Sequence, residues 1–251
     1  MSKEFITFGA GAPCIAAGKR LLEQANNLNL FSKTTLYTDA DLRADTEFWT
    51  KHSQFIEKNK RGYGYWIWKP YLIKKTMEKM KDGDMLLYLD AGCEIDINEK
   101  EYLINCFDIS KTDYIVGTFT CIERDWNKMD LLLKLDMNDT TYLNTSQRQA
   151  SALYFICKKI RSLVNEWYEI ACDYHMIDDS PSIAPNLPCF KEHRHDQSIF
   201  SLLTKKYNLF SKYSLEECIN IARNLSSVSN ILMIDIKRIL LLNNKYPKIK
   251  Y

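Results

Sequence analysis

The densest group of chemically active side chains is segment 191–198, which reads KEHRHDQS and holds two of the four histidines. His193 and His195 alternate, so on an extended strand both would face the same side. With Cys189 they form a C-x3-H-x-H pattern, but a fourth ligand at usable spacing is missing, which disfavours a structural zinc site. Asp196 is a candidate N-cap for the helix predicted to follow. We therefore expect a functional site of polar and charged groups here.

A second candidate is the carboxylate of Asp90, which ends the continuous apolar run Met85–Leu89. A carboxylate at the end of a buried strand is costly unless something pairs with it. A divalent cation that bridges to a diphosphate would be such a partner. Capping of the next turn by Asp90 is the structural alternative.

A third candidate is segment 61–70, RGYGYWIWKP, with two cations, four aromatic residues and two glycines in ten positions. Aromatic rings can stack on a base or a sugar, and Arg61 and Lys69 can neutralise phosphate. The predicted helix after Lys69 offers free amide groups at its start. We expect some of Trp66, Trp68 and Tyr71 to pack inwards, while Arg61, Tyr65 or Lys69 faces a ligand.

Small residues form the fourth candidate, the segment Gly9-Ala10-Gly11 after the first predicted strand. They would let the backbone approach a ligand closely, although a tight strand-to-helix turn is an equally good explanation. The pattern is not GxGxxG, because its third glycine position falls on Cys14, so a Rossmann dinucleotide site is poorly supported. The chain also contains no GxSxG, Walker A or HExxH motif.

Alternating strand and helix patterns must position these residues, which predicts an α/β sheet with crossover helices. The predicted strands are 4–8, 34–37, 85–89, 114–116 and 153–157. The predicted helices are 15–28, 67–80, 100–107, 160–175, 197–206 and 231–242. Ligands of open α/β sheets bind outside the carboxyl ends of the strands. The ends at Phe8-Gly9, Thr38-Asp39 and Leu89-Asp90 therefore locate a site without naming a reaction.

The composition is that of an ordinary globular protein. The chain has 251 residues, and 34 basic against 32 acidic side chains leave a net charge of +2, which does not suggest a nucleic-acid partner. Eight cysteines without a CxxC pair are expected to be reduced core residues of a cytoplasmic protein. No apolar run approaches the length of a membrane span, and no secretory signal is expected.

Several stretches together carry a family resemblance: FITFGAG, LYTDADL, FWTKH, RGYGYWIWKP, GDMLLYLDAGCEI, QRQASALYFICKK, NEWYEIACDYH and HRHDQSIFSLLTKKY. The chain resembles GT-A-type, nucleotide-diphospho-sugar-dependent glycosyltransferases, closest to a group found in bacterial surface-polysaccharide loci and giant viruses. The resemblance covers most of 4–207 and implies an αβα sandwich with a mixed, mainly parallel sheet. It implies one domain with a nucleotide-binding half (1–118), a sugar and acceptor half (119–207) and a helical carboxyl-terminal segment (208–251).

The same resemblance implies a nucleotide-sugar donor, usually a UDP-sugar, and a glycan or glycosylated protein as acceptor. If the protein is viral, it would act in the host cytoplasm. Together with the segments above, it predicts a donor site made of Phe8, Gly9, Gly11, Tyr37, Thr38, Asp39, Arg61, Tyr65, Trp66, Asp90, Ala91, Gly92, Gln149, Ala150 and His195.

A metal is implied because such enzymes usually carry a D-x-D motif. Here the motif reads Asp90-Ala91-Gly92, so the second carboxylate is lost, and Glu94 is its candidate substitute. The related retaining group supplies a late histidine, for which His193 is the candidate and His195 the alternative. We expect Mn²⁺ or Mg²⁺ held by these residues, or by Asp90 alone with the diphosphate.

The predicted catalytic residues are Asp196, Gln197 and Lys69. By resemblance to retaining enzymes, Asp196 would hold donor hydroxyls and Gln197 would lie beneath the anomeric carbon, which favours retention. Asp196 could also be the base of an inverting enzyme. Two other functions stay open: a carbohydrate- or nucleotide-binding protein on the same fold, and a sugar-1-phosphate nucleotidyltransferase.

Overall fold

The computed structural model describes residues 1–111, 116–209 and 214–221. Within them the strands are β1 (Lys3–Gly9), β2 (Lys33–Thr38), β3 (Met85–Tyr88), β4 (Cys93–Ile95), β5 (Val116–Ile122), β6 (Ser146–Phe155) and β7 (Ile219–Ile221). The helices are α1 (Gly11–Asn27), α2 (Asp39–Ala44), α3 (Thr46–Lys58), α4 (Gly62–Tyr65), α5 (Trp68–Met77), α6 (Lys100–Ile109), α7 (Glu123–Trp126), α8 (Met129–Lys134), α9 (Thr140–Leu143), α10 (Lys158–Cys172) and α11 (Asp196–Lys206). Short 3₁₀ turns cover Ile97–Glu99, Tyr174–Met176 and Leu215–Glu217.

The main sheet has the strand order β2-β1-β3-β6-β5 among the described residues. Strands β2 and β3 run parallel to β1, whereas β6 is antiparallel to both β3 and β5. Four of these five strands therefore point the same way. A two-stranded antiparallel ribbon, β4 with β7, lies beside the main sheet.

Each face of the sheet has its own apolar core, because successive side chains of a strand point to opposite faces. Phe5 and Leu87 are register partners and belong to the core that α1 and α6 cover. Ile6 and Tyr88 are the next pair and belong to the core that α3, α5, α10 and α11 cover, where Trp167 is fully buried. The predicted αβα sandwich with a mixed, mainly parallel sheet is thus confirmed in its layers and strand directions.

Several element boundaries differ from the predictions. Strand β6 begins at Ser146, well before the predicted 153–157. The prediction missed its first half because those residues are polar or small and lack the apolar pattern of a strand. Helix α3 was not predicted at all, although Asp45 caps it by accepting a hydrogen bond from the amide of Phe48. The predicted strand at 114–116 lies partly, and the predicted helix at 231–242 wholly, outside the described residues.

The segment labelled α4 is a left-handed turn rather than an ordinary helix. All residues from Gly62 to Trp66 have positive φ, including Tyr63, Tyr65 and Trp66 at 54°, 50° and 62°. This conformation costs about 1–2 kcal/mol for each residue that carries a Cβ. Surrounding contacts must stabilise it, and the indole of Trp68 donates a hydrogen bond of 3.0 Å to the carbonyl of Gly62. The turn places Trp66 and Lys69 at the sheet edge where the three parallel strands end.

Within the described ranges, no helix has the length and apolar character needed to cross a lipid bilayer.

Candidate functional site

The carboxyl ends of three parallel strands meet at one edge of the sheet. Gly9 at the end of β1 is the register partner of Thr38 at the end of β2. Beyond β3, the amide of Leu89 donates to the carbonyl of Ile6, so Asp90 leaves the sheet at the same edge. The candidate strand ends from the sequence are therefore brought together, at the place where α/β sheets bind ligands.

A buried lysine links two of the predicted site segments. Helix α5 carries Lys69, whose side chain is 3% exposed and whose Nζ lies 3.1 Å from Asp90 Oδ1 and 2.8 Å from Asp196 Oδ2. Asp196 is the first residue of α11 and is also buried. The Tyr88 hydroxyl donates a 2.6 Å hydrogen bond to the same oxygen of Asp90. The structure thus joins the predicted residues Lys69, Asp90 and Asp196 into one charged group.

Electrostatics show that this group carries an excess of negative charge. Burial raises the pKa of Asp196, Lys69 opposes that rise, Asp90 adds to it, and the result is a pKa of about 6. Burial alone would lower the pKa of Lys69, but the charges of Asp196 and Asp90 outweigh it and raise that pKa. One ammonium between two carboxylates leaves the trio at −1 when both acids are ionised.

The trio opens into a cavity of about 130 Å³. The lining residues are Arg61, Trp66, Lys69, Asp90, Cys121, Arg194, His195, Asp196 and Gln197. Seven of these nine were predicted as donor-binding or catalytic residues from sequence, Arg194 lies in the predicted site segment 191–198, and Cys121 was not predicted.

One wall of the cavity is formed by stacked side-chain rings, which are carried by residues with an unfavourable backbone conformation. The imidazole of His195 stacks on Tyr65, with ring centres 4.9 Å apart, and lies 5.4 Å from Trp66. His195 has φ 55° and ψ −127°, an unusual conformation for a residue with a side chain. It precedes α11, so this residue, and not Asp196 as predicted, occupies the N-cap position. The carboxylate of Asp196 is thereby released from capping and pairs with Lys69.

His195 itself is held by the chain around it. Its Nδ1 contacts the carbonyl of Ile177 at 2.8 Å, and its Nε2 lies 3.6 Å from Asp179. Burial lowers the pKa of His195, an effect that the Ile177 carbonyl and Asp179 partly oppose. This histidine is therefore a neutral wall of the cavity near neutral pH.

Two arginines stand at the cavity with different partners. Arg61 pairs with Asp179 at 3.1 Å and with Glu192, and these contacts raise its pKa despite burial. Arg194 packs its guanidinium 4.1 Å above the ring of Trp126 and makes no ion pair with a carboxylate of the described residues. Arg194 is thus the cation with its charge still available to an anionic ligand.

The predicted nucleoside residues at the ends of β1 and β2 lie near this edge but do not line the cavity. Phe8 is buried and stacks on Trp68 at 3.9 Å. The Tyr37 hydroxyl contacts Thr76 on α5. The Thr38 hydroxyl donates a hydrogen bond of 2.7 Å to Asp41 in the first turn of α2. Their side chains are engaged in packing and capping.

The glycine segment shows why small residues are needed there. A Cβ on Gly9 would lie 2.5 Å from the carbonyl oxygen of Cys14 in α1, so this position is dictated by helix packing. Gly11 has φ 72° and open space around it, and its amide lies 3.5 Å from the Asp39 carboxylate. The structural explanation therefore accounts for Gly9, while Gly11 and Asp39 remain next to each other at the exposed rim.

The predicted residues on β6 and after Asp90 are partly turned away. Gln149 donates its side-chain amide to Glu216, and Ala150 is buried in the core beneath α11. Ala91 is buried and its carbonyl lies 3.4 Å from the Arg20 guanidinium, with Gly92 next to it. The structure does not bring these four residues into the cavity.

The predicted metal ligands are not assembled. Both ring nitrogens of His193 are used by the backbone, Nδ1 by the Lys128 amide at 3.3 Å and Nε2 by the Met176 carbonyl at 2.9 Å. Burial lowers its pKa to about 3. Glu94 pairs with Arg20 at 3.4 Å.

Of the predicted ligands, Asp90 and the alternative His195 line the cavity. Asp90 Oδ1 is bound by Lys69 and Tyr88, and His195 Nδ1 contacts the Ile177 carbonyl. Within the described ranges, no three His, Cys, Asp or Glu side chains are grouped as a metal site would need. Asp90, Glu94 and His193 therefore do not form a three-ligand metal site, and a Mn²⁺ or Mg²⁺ ion held by Asp90 with the diphosphate stays a prediction.

A Ser-His-Asp arrangement lies outside the cavity. His175 contacts Ser180 Oγ through Nδ1 at 2.7 Å and Asp130 through Nε2 at 2.6 Å. The Ser180 hydroxyl also donates 2.5 Å to Asp178 and accepts from Lys128 at 3.3 Å. Its hydrogen-bonding capacity is filled, so the group braces the loop before α11 and is not an available nucleophile.

Buried polar residues behind the cavity escaped sequence reasoning. Gln197 donates a hydrogen bond of 2.8 Å to Gln147, which in turn donates one of 3.2 Å to Glu123. Gln147 and Glu123 are fully buried. Glu123 lies in a charged stretch and Gln147 in the polar stretch 144–149, so nothing in the sequence says that either side chain is buried or that the two meet.

No protein-family model matches the chain, and no curated protein matches it at a significant level. Among solved structures, the chain is similar to the apo form of mouse xyloside xylosyltransferase 1. The identity is 13%, the similarity covers 86% of each chain, and the TM-score is 0.44. A TM-score this low marks a loose likeness, and no activity of the present chain follows from it.

Proposed function

We propose that this protein is a glycosyltransferase that moves a sugar from a nucleotide-diphosphate donor, a UDP-sugar, to a glycan or glycosylated protein. The observation that carries the proposal is the buried Lys69, fixed between Asp90 and Asp196 at the floor of a cavity at the carboxyl edge of the sheet. Carboxylates suit sugar hydroxyls as hydrogen-bond acceptors, and cations suit a diphosphate leaving group.

Glycosyl transfer needs stabilisation of the negative charge that develops on the departing diphosphate. Preorganised charges around such a site are often the largest catalytic contribution. Arg61, Lys69 and Arg194 place cationic groups around this cavity, and Arg61 and Lys69 are each paired with two carboxylates. Arg194 is suited to the diphosphate because its guanidinium has no carboxylate partner among the described residues. Every step of this proposal uses charges on the chain's own side chains.

Asp196 then binds donor hydroxyls, and its role favours retention of configuration. Its carboxylate is 5% exposed and bound to Lys69 at 2.8 Å, which suits a fixed acceptor of hydrogen bonds better than a base that must reach an incoming acceptor. Proton NMR of the first-formed product would measure its anomeric configuration. An inverted product would assign Asp196 the role of base.

The experiment is release of nucleoside diphosphate from a panel of UDP-, GDP- and ADP-sugars, with thermal shift of the protein by each donor. We expect release from one nucleotide class by the wild-type protein and its loss in Asp196→Asn. The matched control is Asp173→Asn, which alters a half-exposed carboxylate that pairs with Lys134. It should release the diphosphate at the wild-type rate.

Two results would overturn the proposal. The first is a wild-type protein that neither releases a diphosphate nor gains thermal stability with any donor, since a ligand that binds the folded state must raise the melting temperature. The second is Asp196→Asn with the same rate as Asp173→Asn. Pyrophosphate formation from UTP and a sugar phosphate would instead identify a nucleotidyltransferase.

A further inference from the structure

A buried carboxylate behind the cavity receives hydrogen bonds from every side. Glu123 is fully buried and accepts from the ammonium of Lys205, the hydroxyl of Ser201 and the amide of Asn127 at 2.5 Å. The side-chain amide of Gln147 donates to it as well, at 3.2 Å. All of these partners are donors, so Glu123 acts purely as an acceptor.

That carboxylate dictates which way the amide of Gln147 points. Gln147 Nε2 lies 3.2 Å from Glu123 Oε2 and 3.5 Å from Ser198 Oγ. The Ser198 hydroxyl donates its own hydrogen to the Trp126 carbonyl at 2.9 Å, so towards Gln147 it offers a lone pair. Turning the amide over would place its oxygen against the Glu123 carboxylate, which is electrostatically unfavourable. The oxygen of Gln147 therefore faces Gln197.

The orientation of Gln147 is passed on to a residue that lines the cavity. Gln147 Oε1 accepts a 2.8 Å hydrogen bond from Gln197 Nε2. One N–H of the Gln197 amide is used in this bond, which holds the nitrogen towards Gln147 and leaves the carbonyl oxygen without a partner in this pair. Gln197 lies next to Asp196 on α11, which places a second fixed acceptor beside the carboxylate of the trio.

We propose that Glu123 and Gln147 are positioning residues, which lock the amide of Gln197 so that its carbonyl oxygen faces the donor sugar. The functional part of this proposal rests on the glycosyltransferase function proposed above. An oxygen held in this orientation accepts from a sugar hydroxyl or lies against the positive charge that develops at the reacting carbon. A freely turning amide would present its nitrogen part of the time and lose that complementarity.

The test is the variant Gln147→Met, which keeps the length of the side chain but removes both amide groups. Gln147 is fully buried and does not line the cavity, so any effect on donor turnover must pass through its neighbours. We expect kcat to fall about tenfold to a hundredfold with little change in KM, as for a misplaced reacting group. The matched control is Gln54→Met, at an exposed position of α3, which should keep the wild-type kcat.

A double-mutant cycle separates positioning from general structural damage. If Gln147 acts through Gln197, Gln147→Met should cause no further loss of kcat in a Gln197→Ala background. We call the hydrogen-bonded series Glu123–Gln147–Gln197 the relay. Losses of kcat that multiply in the double variant would overturn it, because a structural defect would act whether or not Gln197 is present.

A second readout needs no donor and separates this proposal from the proposed function. In the wild-type protein, the side-chain amide protons of Gln197, assigned by NMR through the Gln197→Ala variant, should exchange with water slowly. Gln147→Met should accelerate that exchange. Equal exchange in both proteins overturns the relay even if the enzyme is active. Faster exchange in a protein that releases no diphosphate supports the relay and contradicts the glycosyltransferase function instead.

Discussion

Lys69, which is buried, and Lys205, which is partly buried, have opposite electrostatic surroundings. Lys69 lies between two carboxylates, Asp90 and Asp196, and their charges raise its pKa despite burial. Lys205 pairs with one buried carboxylate, Glu123, which does not offset burial, so the pKa of Lys205 is lowered. The first group faces a cavity and carries a net negative charge, whereas the second is neutral and is closed off behind α11.

The difference indicates what each group is for. In the enclosed pair the charges of Glu123 and Lys205 balance. The carboxylate of Glu123 also accepts hydrogen bonds from Ser201, Asn127 and Gln147, so its acceptor capacity is used within the protein. An unbalanced trio open to a cavity keeps acceptor capacity for something that arrives from outside. Perturbed ionisable groups in a cavity are candidates for function for this reason.

The largest expected effect concerns stability and falls on the enclosed pair. Glu123→Leu removes the fully buried carboxylate that the partly buried Lys205, Ser201 and Asn127 all bind, which should lower the free energy of unfolding by about 3–5 kcal/mol. Urea unfolding would measure it. Glu78→Leu, at an exposed residue 4.0 Å from Lys74, should change stability by less than about 0.5 kcal/mol.

A second-site change sharpens this expectation. The double variant Glu123→Leu/Lys205→Met removes both charges and should recover much of the lost stability, because a buried ion pair can often be replaced by apolar residues of similar volume. No recovery in the double variant would mean that the hydrogen bonds of Glu123, rather than its charge pairing, stabilise this region.

The next effect concerns turnover and falls on the open trio. Lys69→Met removes the cation between Asp90 and Asp196 and should reduce release of nucleoside diphosphate by about 10²–10³-fold, as for loss of a preorganised electrostatic group. Lys74→Met, on the same helix and half-exposed, should keep the wild-type rate. A Lys69→Met protein that is folded and turns over normally would contradict the assignment of this lysine.

A smaller effect is expected from pH. Since the pKa of Asp196 is about 6, its carboxylate is protonated as the pH falls, and turnover should drop about tenfold for each unit below pH 6. Stability moves the other way for this group: the raised pKa contributes stability below 3.8 that is lost as pH rises through about 6.

Loss of activity at pH 5 would therefore not reflect unfolding caused by Asp196, and tryptophan fluorescence at each pH checks that the chain stays folded. His52 and His193, with pKa values lowered to about 4 and about 3, do not titrate in the folded state within this window. A rate that is flat from pH 7 to 5 would argue against ionised Asp196 as a required group.

The smallest effect is expected from metal removal. The trio already neutralises part of the Asp90 charge through Lys69, and the other predicted ligands are engaged elsewhere. Diphosphate release should therefore change by no more than about twofold with EDTA, in line with a protein cation as the stabilising charge. Loss of activity with EDTA and its return with Mn²⁺ would show that the donor completes a metal site at Asp90.

The part of the site that could be predicted from sequence is the part that follows strand ends. Asp90 was predicted because a carboxylate follows a wholly apolar strand, and Lys69 because cationic and aromatic residues cluster in segment 61–70. Asp196 was predicted from the family resemblance of the segment that contains it. Their meeting was not predictable from spacing, because it depends on how α5 and α11 pack on the sheet. Strand β6 was recognised only in its apolar half for the same local reason.

The relay behind the cavity and the left-handed turn could not be predicted. Gln147 precedes the apolar half of β6 and gives no sign of facing Glu123. Residues 62–66 contain aromatic side chains that disfavour positive φ, so local preference argues against the observed backbone. In both places tertiary contacts override the local signal.

The left-handed turn has a consequence for the order in which the molecule folds. Local preference opposes it, so it should not persist in an isolated fragment. It becomes favourable only when Gly64 packs against Ile56 of α3 and His195 stacks on Tyr65, which requires the distant start of α11 to have docked. The residues that hold Lys69 in place would therefore be among the last to order. A chain without α11 would lack the His195–Tyr65 stack and the Asp196 partner of Lys69, and with them part of the cavity.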